Sequence, residues 1–189
     1  MTLGILLVDP QLDFYPDGTL AVTNGNAINA PINALLKAHA AAPVFVSRDW
    51  HPVDTCHFQA RGGTWPPHCV RETKGATFHA DLELPDGHHV YSKGQDPEND
   101  AGYSAFEGVR DDGESLSQTL EKLGVDTLFV AGFATDYCVK ASCLDAVKNG
   151  LLTFLYVPGV RAVNLQPDDG DKAIAEMQKA GVMCLGCSS

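Results

Sequence analysis

Residues able to do covalent chemistry recur at the ends of apolar, strand-like runs. Asp9 follows "GILLV", Asp49 and His51 follow "PVFVSR", and Lys93 follows "HHVYS". Cys138 lies a few residues past "TLFVAG", where "FATDYC" turns into a helical pattern. Each has an ordinary structural explanation when taken alone: aspartates and lysines often end strands, and a lone cysteine behaves as a small buried hydrophobe. Together, on four different strands, they are much harder to assign to chance, because open α/β sheets bind ligands outside the carboxyl ends of their strands.

A cysteine attacks as the thiolate, and a free thiol has a pKa of about 8.5. A place for Cys138 in the first turn of a helix would lower that value, since a helix N-terminus favours negative charge. The Lys93 ammonium would lower it further, and the Asp9 carboxylate could take the proton and later return it. Backbone N–H groups near Ala134 and at Cys138 would hold an oxyanion. These parts compose an acyl-transfer apparatus in which an aspartate replaces the usual histidine base. The other five cysteines lack such a setting. Cys184 and Cys187 form a single "CLGC" pair in the tail with no second pair to complete a metal site.

The stretch "SRDWHPVDTCHF" adds a second kind of chemistry. Asp49 and His51, two apart on extended chain, can face one pocket, and His57 and His68 are within reach of the same loop. One carboxylate with two or three imidazoles suits Zn²⁺, Fe²⁺ or Mn²⁺, which the residue types do not separate. Histidines that bind nothing are also common in surface loops, so spacing leaves both readings open. His39, His79, His88 and His89 have no companion carboxylate in similar geometry and read as surface residues.

The elements that must position these groups are legible as apolar runs at 3–8, 43–47, 88–92, 127–132, 152–157 and 181–185. Their near-continuous hydrophobicity suits strands covered on both faces. Helical patterns lie between most of them: Ile28, Ile32, Leu35 and Leu36 share one face, as do Leu116, Leu120 and Leu123, the latter closed by Gly124. Alternating strand and helix predicts an α/β fold with a doubly wound, mostly parallel sheet of about six strands and helices on both faces. The exception is a segment at 49–87, rich in Pro, Gly, His and Trp, which reads as a functional insertion in a single domain spanning 1–189.

With 189 residues the chain is long enough to bury a core without disulfides or metal as staples. A formal charge of −11 and the absence of Lys/Arg clusters argue against nucleic acid and against anionic membrane surfaces. The start reads as a first strand with no signal features, no apolar run is long enough to span a membrane, and the cysteines read as reduced thiols. A cytoplasmic location is expected, and the acidic surface neither requires nor excludes a homo-oligomer.

These residues converge on a family. "VDPQLDF", "DWH", "WPPHCV", "KG", "GYSAFEG", "GFATDYCV" and "PGVRAV" occur in order along nearly the whole chain. They resemble the nicotinamidase/pyrazinamidase branch of the isochorismatase-like hydrolases, a three-layer α/β sandwich. The "DxQxDF" and "ATDYCV" elements mark the superfamily, and the "DWH…WPPHC" pair marks the branch. The resemblance implies Asp9, Lys93 and Cys138 as catalytic triad, and Asp49, His51 and His68 as ligands of a divalent metal. Zinc is the first expectation, with iron or manganese as alternatives. His57 matches a ligand that only some members have. The resemblance further implies an oxyanion hole at Ala134 and Cys138, with a cis peptide before Ala134. Phe14 and Trp65 would sandwich a pyridine ring, with Tyr103 and Tyr137 nearby; Tyr137 departs from the histidine of some relatives. The implied reaction converts nicotinamide, and pyrazinamide, to the acid and ammonia through a cysteine thioester, in NAD salvage. The implied rivals are isochorismatase-type enzymes, which do not depend on a cysteine, carbamoyl hydrolases, which lack the metal loop, and a non-catalytic binding protein, which would lack part of the triad.

Overall fold

The structure, a computed structural model, describes residues 1–99 and 102–186. Each apolar run forms a strand: β1 (Leu3–Val8), β2 (Val44–Asp49), β3 (His89–Lys93), β4 (Thr127–Phe133), β5 (Leu152–Arg161) and β6 (Met183–Leu185). They build one sheet in the order β3-β2-β1-β4-β5-β6, and every pairing is parallel. Several strands run further towards their carboxyl ends than the apolar pattern indicates. Asp49 and Lys93 are therefore the last residues of β2 and β3, paired with each other in register.

Four helices cover the sheet: α1 (Asn29–Ala38), α2 (Leu116–Lys122), α3 (Lys140–Lys148) and α4 (Asp169–Lys179). The period-2 alternation of a strand sorts the core into two layers. Leu6 and Val8 of β1 pack in one cluster with Leu116, Cys143 and Met177 from α2, α3 and α4. Ile5 and Leu7 pack in the other with Ile32, Leu35 and Leu36 of α1. Full burial of a Leu or Ile side chain contributes about 1.5–3 kcal/mol, so these layers dominate the stability of the scaffold. The start of α2 is set by a reciprocal cap in which Ser115 and Gln118 each bond the other's backbone N–H. Leu123 departs from the expected stripe: it caps the C-terminus of α2 and is exposed. Ile28, read on the helical face with Ile32, Leu35 and Leu36, instead closes a separate 3₁₀ turn, Gly25–Ile28, just before α1.

Residues 50–88 add no strand to the sheet. They carry two short 3₁₀ turns, at Gln59–Arg61 and Lys74–Ala76, and isolated bridges pairing His51 with Val70 and Phe58 with Trp65. Cys69, Ala76 and Leu82 from this segment complete the α1 layer. No helix among the described residues is long and apolar enough to cross a membrane.

The chain reverses its winding direction between β1 and β4, which opens a crevice at their carboxyl ends. The end of β4 approaches β1 closely. At Gly132, φ is +117° and a Cβ would fall 2.0 Å from the Val8 carbonyl oxygen, so only glycine fits. The next peptide bond, Phe133–Ala134, is cis, at the position the family resemblance implies.

Candidate active site

The ends of β1, β2 and β3 and the turn after β4 each deliver one reactive or polar group into this crevice. Asp9 leaves β1 with φ of +47°. Its amide donates to the Ser47 carbonyl at 3.2 Å, and the Ser47 hydroxyl donates to its Oδ1 at 2.7 Å. Lys93, at the end of β3, is fully buried. Its Nζ lies 2.9 Å from Asp9 Oδ2 and donates to Asp49 Oδ1 at 2.5 Å and the Gly102 carbonyl at 2.7 Å. Cys138 Sγ lies 3.5 Å from the same Nζ. One ammonium thus ties together the residues at the ends of β1 and β2 and the thiol beyond β4.

Cys138 sits in a wide, π-type turn, Thr135–Val139, that runs directly into α3 rather than in the first turn of a regular helix. Ala134 precedes that turn in extended conformation, with its carbonyl accepting from Tyr137 and Val139. Burial pushes the Cys138 thiol well above its ordinary value, against the opposing pull of Lys93. This corrects the expectation of a lowered thiol: desolvation of the thiolate outweighs the ammonium and the helix end. The resting residue is a thiol and needs a base. A carboxylate oxygen of Asp9 lies within 4.8 Å of its sulfur, and burial, only partly offset by Lys93, raises the Asp9 carboxyl to about 6. A base so placed is ionised at neutral pH yet far more basic than a free aspartate. For Asp49 burial is outweighed by Lys93, His51 and His68, which hold its carboxyl well below the usual range. Lys93 in turn is held well above its ordinary value, since its two carboxylates outweigh its own burial.

Asp49 faces two ways. Oδ1 accepts the hydrogen bond from Lys93 Nζ, while Oδ2 points away, 3.8 Å from Nε2 of both His51 and His68. His51, His57 and His68 are all buried, and one ring nitrogen from each lies within 4.8 Å of the others. His51 Nδ1 lies 3.0 Å from the Gly94 carbonyl and His68 Nδ1 lies 2.8 Å from the Pro66 carbonyl. A carbonyl accepts only, so each Nδ1 carries the proton and each Nε2 presents a lone pair. His51 Nε2 is buried with no hydrogen-bond partner, and burial lowers His68 to about 4, keeping it neutral. Buried, preoriented imidazoles beside an ionised carboxylate fit a divalent transition metal. His39, His79, His88 and His89 lie outside this group; none is fully exposed, and His79 stacks on Tyr15 at 4.2 Å between centroids. Cys184 is half-buried and packs against the core, while Cys187 lies outside the described residues.

A pocket opens onto Cys138 and the histidines. Phe14, Trp65, Tyr103 and Tyr137, all expected from the sequence, line it, joined by Leu20 and Val163. Trp65 meets Tyr137 edge-on at 4.9 Å and donates from Nε1 to the Tyr103 hydroxyl at 3.0 Å. Such a flat, aromatic-walled slot suits a planar ring.

Three buried polar residues escaped assignment from sequence. Ser47 orients Asp9, as above. Gln11 holds both backbone groups of Asp49, accepting from its N–H at 2.7 Å and donating to its carbonyl at 2.7 Å, and also donates to the Ala76 carbonyl at 2.9 Å. Asp13 accepts from the Cys69 amide at 2.7 Å. Gln11 and Asp13 were visible in "VDPQLDF" as family markers, but nothing in spacing said what they touch. Leu20 and Val163 carried no signal beyond being apolar.

Residues 4–187 match the Isochorismatase domain family. The nicotinamidase/pyrazinamidase of Mycobacterium tuberculosis is 40% identical over 191 residues, covering 98% of this chain and 99% of that protein. The pyrazinamidase of Pyrococcus horikoshii in complex with zinc superposes with a TM-score of 0.89 at 36% identity, over 98% of this chain and 99% of its own. PnC1 from L. infantum in complex with nicotinate gives 0.85 at 36% identity, over 97% and 92%. With its parallel sheet, buried thiol and histidine group, the chain belongs to the nicotinamidase/pyrazinamidase branch of the isochorismatase family.

Proposed function

We propose that this protein is a nicotinamidase: it hydrolyses nicotinamide, and pyrazinamide as an alternative substrate, to the acid and ammonia through a thioester on Cys138. The observation that carries the reading is the Lys93 ammonium, paired with Asp9 and Asp49 and 3.5 Å from the Cys138 sulfur, at the floor of an aromatic slot beside three buried imidazoles. The names of its relatives supply the substrate. The whole chain acts as one domain in which the 49–87 insertion carries the metal and half of the ring-binding wall.

Asp49, His51, His68 and His57 would hold the metal, zinc first, with iron and manganese accepted by the same donors. When bound, it supplies a Lewis-acid anchor for the heteroaromatic nitrogen of the substrate. The rest is done by the chain. Phe14 and Trp65 flank the ring and set the carboxamide carbon against Sγ. Asp9 takes the Cys138 proton as sulfur attacks, forming the C–S bond and moving the carbonyl electron pair onto oxygen. The amides of Ala134 and Cys138 stabilise that oxyanion, a kind of contact worth about 2.7–4 kcal/mol in other acyl-transfer enzymes. The oxyanion collapses, the C–N bond breaks, and Asp9 delivers its proton to the departing nitrogen as ammonia. Asp9, ionised again, takes a proton from water, whose oxygen attacks the thioester; the C–S bond breaks, nicotinate leaves and Sγ recovers the proton. Lys93 keeps Asp9 ionised and favours negative charge on sulfur throughout. The family resemblance implies NAD salvage as the use of the product. Purified zinc-loaded protein given nicotinamide is expected to release ammonia and nicotinate in equal amounts; no ammonia release from nicotinamide or pyrazinamide would overturn the proposal.

A further inference from the structure

Asp13 lies one turn beyond the base Asp9 but touches neither the thiol nor the ring pocket. It is buried, and its carboxylate is bonded by amides: Cys69 N–H at 2.7 Å on Oδ2 and Thr19 N–H at 3.3 Å on Oδ1. Cys69 is the unusual partner. It follows His68 directly and adopts φ of +44°, a left-handed conformation that a residue with a Cβ rarely takes without being held. Its carbonyl accepts from the His51 amide at 3.1 Å, and His51 in turn accepts from Arg71 at 3.0 Å. The Cys69 backbone therefore stands between two of the imidazoles: it continues from His68 and is bonded to His51. The other side of the Asp13 carboxylate is closed by Gly75, where a Cβ would fall 2.2 Å from Oδ2. The loop has left room at 75 for this carboxylate alone.

We propose that Asp13 is a positioning residue for the metal centre: by fixing the left-handed backbone at Cys69 it presents His51 and His68 to one ion. Gln11, two residues earlier, does the same for Asp49, so a single short arm after β1 sets both sides of the donor set. The inference rests on the metal-binding reading above. Partners that orient ligands without touching the metal typically change affinity 10–100-fold when removed, and the backbone lever at Cys69 predicts an effect at the lower end of that range.

The test is zinc release from the full-length, zinc-loaded protein to a chromogenic chelator, with melting temperatures measured with and without zinc. Asp13→Asn replaces one carboxylate oxygen with a donor facing another donor. Gly75→Ala leaves Asp13 in place but drives its carboxylate off the Cys69 amide, and it decides the matter if Asp13→Asn does not fold. Both variants are expected to release zinc about tenfold faster than the wild type and to show a smaller zinc-dependent gain in melting temperature. A merely structural role would lower the melting temperature of the metal-free protein while leaving the release rate and the zinc-dependent gain unchanged, and that result would overturn the inference. A wild type that retains no zinc would instead overturn the metal reading itself and this inference with it.

Discussion

Asp9, Asp49, Lys93 and Cys138 are placed by the register of a parallel sheet, whereas His51, His57, His68 and Trp65 are placed by hydrogen bonds onto irregular chain. At the strand ends, Asp49 and Lys93 face each other because β2 and β3 pair there, and Asp9 leaves β1 directly after the last β1–β4 pair, Val8 with Gly132. In the 50–88 segment no such register exists. His51 is held by Gly94 and Cys69, His68 by Pro66, and the segment as a whole by Gln11 and Asp13. The nucleophilic machinery is thus coupled to global stability, and the metal centre to a few polar clamps. Asp49 is the one residue that belongs to both.

The largest effect expected from this difference comes from Lys93→Met. It leaves two buried carboxylates facing a thiol with no cation between them, and breaking a buried pair from one side costs about 3–5 kcal/mol. Both the melting temperature of the metal-free protein and turnover should collapse, by circular dichroism and by ammonia release. His68→Ala should separate the regions: zinc content and kcat/KM fall, while the metal-free melting temperature drops far less than for Lys93→Met. Equal losses for the two variants would break the contrast.

The pH profile addresses the strand-end cluster alone. Burial raises Asp9 to about 6. Above that value the carboxylate is ionised and can accept the thiol proton; below it the carboxyl is already protonated and the base is lost. Accordingly kcat/KM should decline about tenfold per pH unit below about 6. Ser47→Ala, which removes the hydroxyl donor that favours the ionised form of Asp9, should move that limb upward. An acid limb near the ordinary aspartate value would show that burial does not govern this group. The smallest effect is expected at Tyr137, which stands at the pocket wall against Trp65 and Tyr103. Tyr137→His should change KM by a few-fold and shift the preference between nicotinamide and pyrazinamide, with kcat nearly constant.

The same difference explains what the sequence made legible. Strand-end residues announce themselves, because an apolar run and the polar residue that ends it are adjacent in sequence. Asp9, Asp49, Lys93 and Cys138 were found this way, and the parallel sense of the sheet followed from alternating patterns, whereas the order of its strands did not. The histidines were visible as types, but spacing alone left them open between ligands and loop residues, since the bonds that orient them come from residues far away: His51 reaches Gly94, and Cys69 reaches Asp13. Asp13, Gln11 and Ser47 were hidden for that reason. The thiol of Cys138 was misjudged because local features, a helix end and a lysine, are readable in sequence, whereas the burial that outweighs them is a property of the whole fold. Leu123 failed for a smaller reason, since a stripe at helical spacing does not show where the last turn ends.

The central claim is that the strand-end thiol does the chemistry and the loop metal positions the substrate. The most direct measurement is ammonia release from nicotinamide by Cys138→Ala, with the zinc content of the same sample measured alongside the wild type. Turnover should fall by at least about 10⁴-fold with zinc retained in full. Substantial ammonia release by the zinc-loaded variant, or loss of zinc on removing the thiol, would contradict it.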